Sequence, residues 1–376
     1  MTGYDEILSR LKEENRFRTF PSHTAGSGLL DLSSNDYMGL RFRETELKNK
    51  FADKFQSASM SSSASRLLSV DQHAMSGLEN LLETLYGRPA ILFNSGYHAN
   101  VGIIQALAIP NTLFVGDKLI HASMIDGIRL SGTGFRRFPH NNIAALQKTI
   151  AKEAGNFDRI WILTESIFSM DGDMAPLEEI VALKNEYPNV RLYLDEAHGF
   201  GVRGDKGLGL AEELNLLSEV DILVGTLGKA AFSAGAFAMA SRKMIDYMRN
   251  CTRSLIFSTA LPPINAEWSR LTIEMLMAMN AERLGLKTIS RTFRDALRRH
   301  GLDVPEGDSP IVPWLIGDAE KAVEYSRRLR EKGILALPIR RPTVPPGGER
   351  IRFSLNAALG MEDIDRVTSQ VISILP

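Results

Sequence analysis

From about Leu78 to Ala240 the sequence alternates short apolar runs with stretches of helical periodicity, and few folds accept that rhythm. Ala90–Phe93 precedes a helix expected at Ala99–Leu107, and Thr112–Val115 precedes one near Ser123–Leu130. Ile160–Thr164 precedes another at Leu177–Tyr187. Strands and helices alternating over this length pack as a mostly parallel sheet sandwiched by helices, an α/β fold. After Leu192–Leu194 and Ile222–Val224, Ala236–Ala240 follows with no convincing helix between. That last pair is therefore expected to differ in direction. In such a sheet, ligands bind beyond the carboxyl ends of the strands.

At 376 residues the chain exceeds one compact core, and two domains are expected. Residues 1–35 read as an N-terminal arm, with helical periodicity at 4–16 and a short strand near Leu29–Leu32. Residues 36–262 make the large domain. Residues 263–376 make a smaller α+β domain, with helices at about 263–300, strands near Ile311–Leu315 and Arg350–Leu355, and a Pro-rich loop from Pro338 to Gly348. The net charge of −1 gives no global field to recruit nucleic acid or an anionic membrane. The one cysteine, Cys251, forms no internal disulfide, which suits a reducing cytoplasm. The N-terminus lacks a signal-peptide core, and no apolar run reaches the roughly 18 residues that span a bilayer. A cytoplasmic protein is expected.

Two strand ends carry unusual chemistry. Arg191–Leu194 ends in Asp195-Glu-Ala-His198, and Asp221–Gly225 ends in Thr226-Leu-Gly-Lys229, with the lysine 34 positions after the acid. Pyridoxal phosphate (PLP) needs both: a lysine holds its aldehyde as a Schiff base, and a carboxylate keeps its ring nitrogen protonated. An isolated lysine after a tight glycine turn is usually a solvated one, and an acid at a strand end is usually a cap. Their pairing behind buried strands favours the catalytic reading, in which Lys229 is the base at a substrate α-carbon and Asp195 the partner of the ring nitrogen. His198 can hydrogen-bond the phenolic oxygen, although by itself it reads equally well as a satisfied loop histidine, and His121 can stack on the ring face, although alone it reads as a partly buried histidine at a strand–helix junction. Ser95-Gly96-Tyr97 opens a helix after a strand, where small residues let backbone N–H groups meet a phosphate. Ser169 and Thr226 add hydroxyl donors at other strand ends. Arg352 can clamp a carboxylate with a bidentate fork, and Thr343 can meet a second substrate.

Two motifs mislead. Gly199-Phe-Gly201-Val-Arg-Gly204 fits G-x-G-x-x-G, yet Asp-Lys-Gly-Leu-Gly follows it where a helix should start, which disfavours a nicotinamide-dependent oxidoreductase. Gly225-Thr-Leu-Gly-Lys-Ala has two residues between its glycines, against four in a P-loop. The seven histidines are scattered, and no metal site is expected.

Together these segments resemble the α-oxoamine synthases, acyltransferases within the fold-type-I PLP enzymes of aminotransferase class I/II. The likeness runs from Ser33-Ser-Asn-Asp-Tyr37 to Asp363-Ile-Asp-Arg-Val367, nearly the whole chain. It includes Asn94–Tyr97, Ile120–Ser123, Phe168–Asp173, Asp195–Gly199, Thr226–Lys229, Ile256–Thr259 and Arg340–Pro345. The resemblance implies that Lys229 carries PLP, Asp195 meets the pyridine nitrogen and His121 stacks. It makes Gly96, Tyr97, Ser169, His198 and Thr226 further cofactor contacts. Ser258 and Thr259 would reach the neighbouring subunit's phosphate, implying a twofold homodimer with shared sites. Asn35 and Arg352 would bind the amino-acid substrate, and Arg18 or Arg16 of the arm would touch the acyl substrate.

Within the family, Arg340-Arg-Pro-Thr-Val-Pro is close to the Arg-Pro-Pro-Thr-Val-Pro of the members that serve biotin biosynthesis. This implies decarboxylative condensation of L-alanine with pimeloyl-CoA or a pimeloyl carrier-protein thioester. The rival is a glycine acetyltransferase using acetyl-CoA. Three departures bear on the acyl chain: Arg341 for the first proline, Ala64 and Val70 for the glycines of Gly-Ser-Arg-Leu-x-Ser-Gly, and Leu359 where the family often has histidine.

Overall fold

The computed structural model describes residues 3–18 and 28–375. Its first strands are β1 (Leu30–Asp31), β2 (Ala90–Phe93), β3 (Thr112–Asp117) and β4 (Gly134–Phe138). Then come β5 (Arg159–Glu165), β6 (Val190–Asp195), β7 (Ile222–Thr226) and β8 (Ala236–Met239). The last are β9 (Ile311–Leu315), β10 (Ile334–Leu335), β11 (Leu337–Ile339) and β12 (Arg350–Ser354). The chain forms two compact units. The larger comprises Met38–Phe168 and Met174–Arg283, and the smaller gathers the N-terminal residues up to Tyr37, Ser169–Asp173 and the chain from Leu284 onward.

The larger unit is built on a seven-stranded sheet of order β2-β8-β7-β6-β5-β3-β4. Strand β8 runs antiparallel to both its neighbours, and the other pairs are parallel. The reversal has a simple cause. A parallel partner needs a crossover of a dozen or more residues, and only Leu227–Gly235 separates β7 from β8. That turn closes on itself through Leu227 N–H to Gly235 O at 2.9 Å and Ser233 N–H to Leu227 O at 2.9 Å. The central strands are apolar on both faces: Ile162, Leu163, Leu192, Tyr193 and Leu194 are fully buried. Strand β4 was not legible as a strand, because two exposed arginines, Arg136 and Arg137, interrupt it. It lies at the sheet edge, where charge discourages further pairing.

The larger unit runs on to Arg283, beyond the boundary expected at 262–263, because the Pro263–Met277 helix packs on the His73–Tyr86 and Glu44–Ser57 helices. The next helix, Asn280–Arg299, spans the boundary between the units. In the smaller unit, β12 lies between β11 and β9 in an antiparallel sheet, and β1 pairs with β10 in parallel. Trp314 of β9 stacks on Tyr325 of the Ala319–Glu331 helix at 4.9 Å. The residues of the expected arm clustered here are 3–18 and 28–35, and 19–27 lie outside the described residues. The arm's helix is Gly3–Glu13.

The G-x-G-x-x-G run is explained by packing. Glu196, fully buried, accepts the Ala211 N–H through Oε1 at 2.9 Å and ties the loop at 199–211 to the sheet. A Cβ at Gly199 or Gly209 would overlap its carboxylate, and Gly201 and Gly204 adopt positive φ, at 81° and 83°. Only the four-residue Leu210–Glu213 helix follows.

Burial raises the Glu196 carboxyl from 4.5 to about 7, with the Ser166 side chain and then the Ala211 and Leu210 N–H groups only partly offsetting it. The folded state thus keeps a proton that the unfolded chain releases near 4.5. The stability this gives is full below that pH and falls as pH rises toward 7. The linkage amounts to about 3 kcal/mol, with about 2 kcal/mol falling between pH 5 and 7. Urea unfolding of Glu196→Gln across pH 5–7 is expected to lose about 2 kcal/mol less than the wild type does. An unchanged slope would place the titration elsewhere.

Candidate active site

Lys229 occupies the β7–β8 turn, at the carboxyl end of β7, and its Nζ lies 2.8 Å from His198 Nε2. An ammonium there donates to the ring nitrogen. Asp195 is the last residue of β6 and is 5% exposed. Its Oδ1 accepts the Ala197 N–H at 2.8 Å and its Oδ2 accepts Asn100 Nδ2 at 2.7 Å. Acid, histidine and lysine thus stand at the ends of adjacent parallel strands, as the spacing predicted for the acid and the lysine.

A polar array extends from Asp195. The Tyr193 hydroxyl donates to Asn100 Oδ1 at 2.7 Å, and Asn100 Nδ2 also reaches Ser123 Oγ at 2.9 Å. Ser123 Oγ lies 2.7 Å from His121 Nδ1. His121 is the N-cap of the Ala122–Ser131 helix, which fixes its backbone at the end of the β3 connection. Burial holds its imidazole below the usual histidine range; the Asp195 charge pulls the other way and Lys229 adds to the depression. Glu165, at the end of β5, is in register with Asp195 and receives the His121 backbone N–H. Its carboxyl is pushed well above the ordinary range by burial and then by the Asp195 charge. No motif in the sequence assigns a role to Asn100, Ser123, Tyr193 or Glu165. One signal was present: Asn100 is a polar residue on the face that Ala99, Ile103, Ile104 and Leu107 bury, and buried polar groups need partners.

The phosphate-type features surround the Gly96–Leu107 helix, which starts three residues before the expected position. Ser95 caps it by accepting the His98 N–H at 3.2 Å. Gly96 leaves its first turn open, the nearest atoms to a would-be Cβ being those of Thr226 at 3.9 Å. The Thr226 hydroxyl accepts the Gly228 N–H at 3.2 Å, so it braces the lysine's turn. Tyr97 is about half exposed, and its hydroxyl donates to Asp126 Oδ2 at 2.6 Å. Asn94 Nδ2 donates to Ser258 Oγ at 3.0 Å and to the Thr259 carbonyl at 2.6 Å.

The smaller unit holds the expected substrate residues. The buried Arg352 guanidinium donates to the Ser169 carbonyl at 2.6 Å, Ser354 Oγ at 2.6 Å, Asn35 Oδ1 at 3.2 Å and Tyr37 Oη at 3.1 Å. Arg352, Asn35 and Ser169 are therefore joined, with Ser169 contributing its carbonyl. Arg18 Nη2 donates to Thr343 Oγ1 at 2.9 Å, joining the two residues expected to meet the acyl substrate. Arg340 donates to the Asn15 carbonyl beside them. Among the described residues, no group of three His, Cys, Asp or Glu side chains is arranged to hold a metal, and no helix is long and apolar enough to cross a membrane.

The donor set fits PLP in kind. It offers a lysine with a neighbouring acceptor, a buried carboxylate, and a helix N-terminus with a glycine in its first turn. A family model described as aminotransferase class I and II matches residues 27–371. The chain is 46% identical over 340 residues to an 8-amino-7-oxononanoate synthase from Haemophilus ducreyi, covering 88% of each. Among solved structures it is similar to serine palmitoyltransferase from S. paucimobilis with a bound PLP–myriocin aldimine, at TM-score 0.88 and 26% identity over 99% of this chain and 96% of that one. It is also similar to 8-amino-7-oxononanoate synthase from Francisella tularensis, at TM-score 0.79 and 27% identity over 92% of this chain and 97% of that one. Over nearly its whole length the chain belongs to the class I and II aminotransferase family, and within it to the PLP-dependent acyltransferases of the α-oxoamine synthase type.

Proposed function

We propose that the chain condenses L-alanine with pimeloyl-CoA, or a pimeloyl carrier-protein thioester, to 8-amino-7-oxononanoate for biotin biosynthesis. The placement of Lys229 Nζ against His198, one strand from Asp195, carries this reading, and the names of the relatives support it. PLP, when bound, supplies an electrophilic aldehyde and a ring that draws electron density from the substrate's α-carbon. Lys229 is the residue that would hold that aldehyde, Asp195 would keep the ring nitrogen protonated, and His198 would serve as a hydrogen-bond partner of the phenolic oxygen. Gly96, Tyr97, Ser169 and Thr226 would complete the cofactor's contacts, and His121 would stack on the ring.

The remaining work belongs to proton and substrate handling. Arg352, with Asn35, receives the alanine carboxylate. Lys229, once free, removes the α-proton. The α-carbon bonds to the thioester carbonyl carbon and the thiolate leaves. The carboxylate then departs as CO2, and Lys229 returns a proton to the carbon that lost it. Thr343 and Arg18 meet the acyl substrate. In this reading the enzyme is a cytoplasmic homodimer in which Ser258 and Thr259 reach the partner's phosphate. Exposed Leu68, Val70 and Phe257 are the kind of apolar surface such a dimer covers.

Lys229→Ala is expected to lose covalent PLP, read as loss of visible absorbance after dialysis, together with all measurable turnover; retained turnover would sink the assignment. Arg352→Lys replaces a planar fork with a point charge, so the KM for alanine should rise at least about tenfold, with a smaller change in kcat. Thiol release should be fastest with alanine and pimeloyl-CoA. Faster release from glycine with acetyl-CoA, or from serine with palmitoyl-CoA, would reassign the substrate.

A further inference from the structure

A hydrogen-bonded array can be solved for its protons when one member only accepts, and the Asp195 carboxylate is such a member. Its Oδ2 lies 2.7 Å from the Asn100 side chain, so the amide nitrogen of Asn100 faces the carboxylate. The Asn100 carbonyl then faces Tyr193, whose hydroxyl donates at 2.7 Å. The second amide N–H points to Ser123 Oγ at 2.9 Å. Ser123 is thereby an acceptor from Asn100, and its single hydroxyl proton goes to His121 Nδ1, 2.7 Å away. The Ser123 backbone N–H also donates to Nδ1, at 3.2 Å. Nδ1 accepts twice, which leaves the ring proton on Nε2.

We propose that Asn100 is a positioning residue: acting through Ser123, it holds His121 as the neutral Nε2–H tautomer, while the same amide orients the Asp195 carboxylate. Burial makes the arrangement rigid. Tyr193 and Ser123 are 0% exposed and Asn100 is 2% exposed, so water cannot supply a missing donor to these three, while His121 at the end of the array is exposed. The charged groups acting on the ring are Asp195, Lys229 and Asp126, and burial together with Lys229 outweighs the two acids. His121 can therefore donate from Nε2, but it cannot take a proton at Nδ1 without displacing Ser123. It serves the site as a donor and leaves α-proton removal to Lys229; only this last consequence rests on the function proposed above.

The test is 15N NMR of enzyme labelled at histidine, recorded with and without PLP, with the His121 signals assigned by their loss in His121→Asn. The wild type is expected to show an unprotonated Nδ1 and a protonated Nε2 in both states. Asn100→Asp exchanges two donors for acceptors, so the Ser123 proton turns to the new carboxylate and Nδ1 keeps only the Ser123 backbone N–H. The Nε2–H population should fall in favour of the other tautomer, and the Kd for PLP should rise at least about tenfold as two carboxylates face each other. Ser123→Ala removes one hydroxyl with little risk to the fold, and it should give a mixture of tautomers. A wild-type ring protonated on Nδ1 overturns the proposal. So does an unchanged Nε2–H population in either variant. The PLP-free spectra read the tautomer alone, whereas a wild-type chain that failed to bind PLP would count against the cofactor reading instead.

Discussion

The connection between β7 and β8 sets the terms for the site. Leu227–Gly235 is too short to cross the sheet, so the chain must reverse and lay β8 beside β7. That reversal holds Lys229 at the carboxyl end of the sheet, on a turn whose backbone bonds close upon themselves. A lysine on a longer loop would sample many positions, and a nucleophile or base has to be held within a fraction of an ångström to be effective. Thr226 adds the last constraint, since its hydroxyl binds Gly228 directly before the lysine.

Around this turn the protein buries acids on neighbouring strands, and it treats each differently. Asp195 is given donors for both oxygens. Glu196, the next residue, points to the other side of the strand end and is spent on binding the glycine-rich loop. Glu165 receives a backbone N–H on one side, while its Oε1 has no hydrogen-bond partner. Burying a charge is costly unless it is paired, so the raised titration of Glu165 and Glu196 is the expected response. The result is a region where one carboxylate is fully served by donors and its neighbours lean to the neutral form.

Much of this was legible in the sequence, for reasons that can be stated. The parallel strands read clearly because both their faces are buried, which makes them continuous apolar runs. The reversal at β8 was readable from the missing helix before it. Asp195, His198 and Lys229 stood out because polar residues follow such runs directly. What escaped detection lacks that contrast. Strand β4 carries Arg136 and Arg137 in place of an apolar run. Asn100 sits within a helix, and Ser123 looks like an ordinary residue of a first turn, so their roles depend on partners from β6 and the β3 connection. The Pro263–Met277 helix groups with the larger unit through the helices it packs on, and nothing in its own sequence announces those partners.

The pairing of β1 with β10 has a consequence for how the chain is made. Leu30 binds beside Ile334, 304 positions later, and Leu32 accepts the Ser354 N–H. A ribosome adding about 5–20 residues per second needs on the order of tens of seconds to cover that interval. Throughout it β1 lacks the strand it pairs with. The larger unit, apart from the five residues Ser169–Asp173, is a continuous stretch that ends at Arg283. Its sheet can therefore have all its strands before the other unit has all its parts, and the residues of the lysine's turn leave the ribosome more than a hundred positions before Arg352 does.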